Sequence, residues 1–241
     1  LARFIDVRND ADPLNVTLGN AGLRNPRTHI FELQYQGNSA EKPDVAFSAW
    51  AYFYLYQNDL AMGYTYNRNT GARVFKPYSV NGNSIFQAEV DYATPLDKRK
   101  LLTLDTKTRF SATRSVDLMS VVTTDDYAMA TMPDRSIVHN NYVSEDLKLE
   151  YKFPWLRLGL NGYVLFNRAS SDRAGFDPQR VWDFHYGPTA KATLPWQVEL
   201  STDLSIYSRR GYDDSGANTN DVVWNARLSK SVPKLGLTFI V

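Results

Sequence analysis

The chain has 241 residues, with 27 Lys and Arg against 26 Asp and Glu, and no Cys. This near-neutral balance excludes the basic excess of a nucleic-acid footprint, and the lack of Cys excludes disulfides and thiolate metal sites. Mean hydropathy is −0.41, and no apolar run approaches the ~20 residues of a spanning helix. That excludes a helical membrane protein and not a strand-built one, whose alternation keeps the mean low.

Period-2 alternation runs through nearly the whole chain, and helical periodicity is almost absent. Residues 1–27 read as a loop leading into the first strand. At 28–36, His29, Phe31, Leu33 and Tyr35 oppose Glu32, Gln34 and Gln36. Segment 44–57 is apolar on both faces and also reads as a strand. At 84–93, Phe86, Ala88, Val90 and Tyr92 oppose Gln87, Glu89 and Asp91. At 101–113, Leu102, Leu104 and Phe110 oppose Asp105, Lys107 and Arg109. At 146–153, Leu147, Leu149 and Tyr151 oppose Lys148, Glu150 and Lys152. The pattern repeats at 156–167, 182–194, 196–207, 222–229 and 235–241, for about ten strands in all. Pro188 cannot donate to a ladder, so a bulge or local edge is expected at Gly187-Pro188.

Two regularities separate the readings. As delimited, the alternating strands carry no Asp, Glu, Lys or Arg on the apolar face, while most carry charge on the other. Short connections (37–43, 94–100, 154–155, 194–195, 232–233) alternate with long ones (58–82, 114–142, 168–181, 209–220), as periplasmic turns alternate with extracellular loops. Within 58–82, Asn69-Thr70-Gly71 marks a hairpin turn. Leu156 to Phe166 extends ~33 Å, which rises ~25 Å at a tilt of ~40° and matches an apolar membrane band. Aromatics gather at both strand ends, where lipid-interface belts would lie: Tyr92, Tyr151, Trp155 and Trp196 near the short turns, and Phe110, Phe166, Trp182 and Trp224 near the long loops. The fold expected is an all-β, antiparallel, up-and-down transmembrane β-barrel segment.

Three stretches resemble a known family. Asp12-Pro13-Leu14-Asn15-Val16-Thr17-Leu18-Gly19-Asn20, followed by Leu23, Arg24 and Thr28-His29, is similar to the segment before a descending strand in TonB-dependent-receptor barrels. Leu194-Pro195-Trp196 with Ser201-Thr202-Asp203-Leu204 is a second match. The third and most specific joins Tyr207-Ser208-Arg209-Arg210-Gly211-Tyr212, Asn218-Thr219-Asn220-Asp221 and Val223-Trp224-Asn225-Ala226. Together they resemble the C-terminal region of the outer-membrane β-barrel protein family of Bacteroidota. The chain departs from that pattern at Asn20-Ala21, where members usually have Asn-Pro. The resemblance implies a larger parent barrel, often of about 22 strands, with a plug and an N-terminal domain outside these residues. It also implies the bacterial outer membrane as location, and outer-membrane lipid, a TonB-type energy coupler and surface lipoproteins as partners.

No catalytic constellation emerges. His29, His139 and His185 are scattered, and there is no G-x-S-x-G elbow or P-loop. Asp125-Asp126, Asp213-Asp214 and the run Asn9-Asp10-Ala11-Asp12 read as solvated loop acids rather than carboxylate pairs or calcium ligands. No metal or cofactor is expected, and the protein reads as a transporter rather than an enzyme. The lumen-facing candidates are Asp105, Lys107, Arg109, Lys148, Glu150, Asp183, Lys191, Glu199, Asp203 and Arg227. In the extracellular loops, Tyr127, Phe176, Arg209, Arg210 and Tyr212 are candidates for gripping a ligand or partner. The alternative is a non-transporting barrel that anchors a membrane complex or displays loops. A soluble β-sandwich would also make one face apolar.

Overall fold

β-Branched and aromatic residues at alternate positions suit a pleated surface, and the computed structural model of the chain is built from strands. It describes residues 5–38, 43–123, 132–232 and 237–241. Among these described residues there are fourteen strands: β1 (Arg8–Asn9), β2 (Asn15–Leu18), β3 (Arg27–Asn38), β4 (Ala46–Gln57), β5 (Asp59–Asn67), β6 (Arg73–Val80), β7 (Ser84–Pro95), β8 (Leu102–Val122), β9 (Arg135–Lys152), β10 (Leu156–Ser171), β11 (Gln179–Leu194), β12 (Val198–Arg210), β13 (Asn220–Val232) and β14 (Leu237–Ile240). Among the described residues the only helical turns are single 3-10 turns at Pro195–Gln197 and Ser215–Ala217.

Ten strands form one antiparallel meander, in the order β3, β4, β7, then β8 through β14. Its registers place like faces together. Phe53 pairs with Phe86 and Val90 with Thr108 on one face, and Asp91 pairs with Lys107 on the other. Among the described residues the sheet is not closed: β3 pairs with β4 alone, and β14 with β13 alone.

The other four strands form an appendage at the long-loop end. The hairpin β5–β6 turns at 68–72, over the expected Asn69-Thr70-Gly71. β5 runs parallel to the last residues of β8, and β2 parallel to β6. Residues 1–27 are thus not a plain loop, because Val16 and Leu18 bury against Val74. The described residues of segment 114–142 are also mostly strand. Val116 and Leu118 continue the apolar face of β8 and pack under the hairpin with Val80, Ala61, Tyr78 and Ile137. Arg114 and His139, which face each other across the ladder, interrupt that face and disguise its continuation. The other long connections shorten to 172–178 and 211–219.

Pro188 makes no bulge, and the alternative expected there, a local edge toward β12, is what is found. The pairs Tyr186↔Ile206 and Thr189↔Asp203 keep one register across it, with only the two intervening pairs to β12 missing. Gly187 is required by contact, since a Cβ there would stand 1.6 Å from the carbonyl oxygen of Leu204. A second departure concerns the turn before β12. It spans 195–197, so Trp196 lies in the turn and not on the strand.

The apolar face of the meander stays uncovered. Leu33 is 71% exposed, Trp224 71% and Phe239 60%. The buried hydrophobics among the described residues are eight, and all except Ala192 belong to the appendage or to β8 beneath it. The accessible surface is 16245 Å². A water-soluble monomer of this mass would expose about 11,000 Å². The meander therefore lacks the inner face of a sandwich.

Candidate functional site

Strand parity decides the site. Asp105, Lys107, Arg109, Lys148, Glu150, Asp183, Lys191, Glu199, Asp203 and Arg227 all project from the same face, as their paired registers require. This ionic face forms the floor of a trough. A cavity of about 600 Å³ lies on it, and its lining reaches from Gln36 on β3 to His185 on β11.

One lateral row crosses the trough: Gln36, Ser48, Asp91, Lys107, Asp146, Tyr163, His185, Tyr207 and Asp221, each the register partner of the next. On its β4–β9 side the row is held by charge. Lys107 Nζ bridges Asp91 at 2.9 Å and Glu89 at 3.0 Å, and Arg109 bridges Glu89 at 2.9 Å and Asp146 at 2.6 Å. Trp50 Nε1 donates to Glu89 and Ser48 Oγ to Asp91, each at 3.2 Å. On its β10–β12 side the row is aromatic. His185 lies between Tyr163 and Tyr207, with ring centroids 5.2 and 5.1 Å away.

The remaining ionic candidates are also mostly engaged. Lys191 pairs with Glu199 at 3.2 Å, Glu150 bridges Lys148 and Lys152, and Asn225 donates to Asp203 at 3.0 Å. Asp105 and Arg227 stand opposite Lys148 and Ser201, with no hydrogen bond or ion pair of their side chains among the described residues. Glu89, Asp91 and Trp50 were not among the sequence candidates. Glu89 and Asp91 become legible once 84–95 is paired with 102–114 across the short turn, because that register sets them against Arg109 and Lys107. Trp50, Tyr52 and Tyr54 were hidden because 44–57 looks apolar on both faces. Their polar tips turn to the ionic side, where the Tyr52 hydroxyl donates to Glu32 at 2.9 Å.

The loop candidates divide. Tyr127, with Asp125-Asp126, lies outside the described residues. Arg209, Arg210 and Tyr212 come together and organise the 211–219 loop itself. The Tyr212 hydroxyl donates to both oxygens of Asp183, at 3.0 and 2.9 Å, with Arg209 Nε 3.8 Å from the same carboxylate. Arg210 donates to Thr219 O and Asn220 Oδ1, and Asn218 donates to Tyr212 O. The hydrogen bond to Asp183, then burial, raises the Tyr212 phenol above its ordinary range. Phe176 borders a second cavity together with Tyr212. The acids of the N-terminal run make a local turn: Asp12 accepts from Asn15 Nδ2 and the Leu14 N–H, and these bonds, the Asn15 one first, lower its carboxyl below the usual range.

On the apolar face, Tyr92, Phe110, Tyr151, Phe166, Trp182 and Trp224 all appear, while Trp155 and Trp196 sit in turns. That face is not wholly free of charge. Glu145 lies on it between Thr108 and Val164, and accepts a hydrogen bond from the Thr108 hydroxyl. It falls one residue outside the segment 146–153, which is why the strand seemed clean.

The chain matches no family model, no curated protein and no solved structure.

Proposed function

We propose that the chain is part of the wall of a bacterial outer-membrane β-barrel of the TonB-dependent-receptor type, whose parent protein moves an unidentified ligand through its lumen. One observation carries this reading. A meander of long strands gathers the ten candidate ionic side chains, with Glu89, Asp91 and Asp146 among others, onto a trough-shaped face and leaves Leu, Phe and Trp uncovered on the other. Hydrocarbon solvates such a face without cost, whereas water does not. The paired strands also satisfy the backbone internally, as a bilayer demands. The remaining barrel strands, joined at β3 and β14, and the plug would come from the rest of the parent. Coupling energy would arrive through the plug from a TonB-type partner.

The absence of Cys makes the first test clean. Single cysteines placed along 158–165 of β10 in the membrane-inserted protein would carry spin labels. Oxygen accessibility should peak at 158, 160 and 164 and fall at 161, 163 and 165. A profile without that alternation rules out a lipid-facing wall.

A second reading has its own support. The ionic residues largely pair with one another, as in a wall that anchors or displays and transports nothing. Uptake by the parent protein, measured with and without the energy coupler, separates the two.

A further inference from the structure

The apolar face of the meander ends abruptly at the long-loop side of β10 and β11. Phe166 and Trp182 are register partners there, and their rings lie 4.5 Å apart. One step further on the same face, Arg168 stands opposite Arg180, and Arg210 stands beside Trp182 on β12. All three arginines are exposed.

Like charges set directly opposite on a sheet repel and are destabilising. Among the described residues no carboxylate pairs with any of the three. The other flank offers no relief, since the partner of Arg168 on β9 is Asn141. Among the described residues Arg210 donates to neutral oxygens, those of Arg209, Thr219 and Asn220, which fix its position and leave its charge uncompensated. The cluster is thus a group of neighbouring cations without an anionic partner among the described residues.

Its location selects the anion. An aromatic pair at the edge of an apolar band marks the boundary between acyl chains and headgroups. Cations one step beyond it stand at headgroup depth, where guanidinium groups take phosphate oxygens two at a time. We infer that Arg168, Arg180 and Arg210 form a binding site for the phosphates of an outer-leaflet lipid of the lipid A class; this rests on the membrane reading proposed above. The acyl chains of that lipid would descend over Phe166 and Trp182.

The test uses the membrane-inserted protein, purified in mild detergent and given lipid A with its phosphates, the same lipid with the phosphates removed, or inorganic phosphate. Bound lipid is read by native mass spectrometry. Lipid A should be retained, and R168Q/R180Q should weaken that retention about tenfold. K98Q, which removes a cation at the short-turn end, should retain lipid as the parent does. Equal retention of the dephosphorylated lipid, or unchanged retention by R168Q/R180Q, overturns the site. Inorganic phosphate that displaces the lipid at equal concentration shows a free-phosphate site and overturns the lipid assignment. The cysteine scan of β10 keeps the two proposals apart. Normal alternation with no lipid effect rejects this site alone, and lost alternation rejects the membrane reading itself.

Discussion

Glu89 holds together three groups that would otherwise conflict. It accepts from Trp50 and lies between Lys107 and Arg109, two cations on one face of β8. Its side chain is only 13% exposed. Glu89→Ala should therefore leave two neighbouring cations with one counter-charge fewer and an indole N–H without its acceptor. The expected cost is about 1–3 kcal/mol, measured by urea unfolding. Glu89→Gln, which keeps an acceptor for Trp50, should recover part of it. Tyr212 makes a different prediction. Its phenol is raised by donating to Asp183, so the contact contributes fully below the ordinary tyrosine value of about 10. It is lost as pH rises through the higher folded value. Absorbance titration should show a late-ionising fraction of the tyrosines that shrinks by one in Tyr212→Phe; an unchanged curve in that variant would contradict the assigned contact.

At the scale of elements, alternation located the strands because a pleat repeats every two residues, and a wall with unlike solvents on its two sides writes that repeat into composition. The hairpin turn at Asn69-Thr70-Gly71 was legible for the same local reason. Strand ends were not. β8 and β9 reach 21 and 18 residues because their upper parts are covered by the appendage, a contact between residues far apart in the chain. The resemblance block around Tyr207 to Asn220 also reads differently in three dimensions, since its polar residues mainly hold one another. The turn before β12 stores local strain. Trp196 and Gln197 both have left-handed backbones, with φ of 64° and 60°. Gln197→Gly should stabilise the protein by up to about 1 kcal/mol. A denaturation midpoint that falls instead would show that Gln197 contributes contacts worth more than its strain.

For the whole molecule, which side chains share a face was legible, and where the sheet stops was not. The pairing of Lys107 with Asp91 and of Arg109 with Glu89 needed only a register, whereas the ends of the sheet at β3 and β14 have no local signal in the sequence. Exposed area is the molecular quantity on which the proposed membrane setting rests. A sheet this apolar on one side and this poorly covered loses its partner surface in water, so the chain freed of lipid and detergent should aggregate, and light scattering on detergent removal would register it. A clear monomeric solution would instead favour a soluble protein.

The parallel docking of β2 on β6, and of β5 on the end of β8, has a kinetic consequence. Parallel neighbours cannot be joined by a tight turn, so each waits for a long stretch of chain to be placed first. The amino-terminal strap is therefore the last piece laid down and the first to lift. Deuterium should enter the Val16 and Leu18 amides well before those of β9 and β10, and a protease offered the native protein should nick that strap while the wall stays whole.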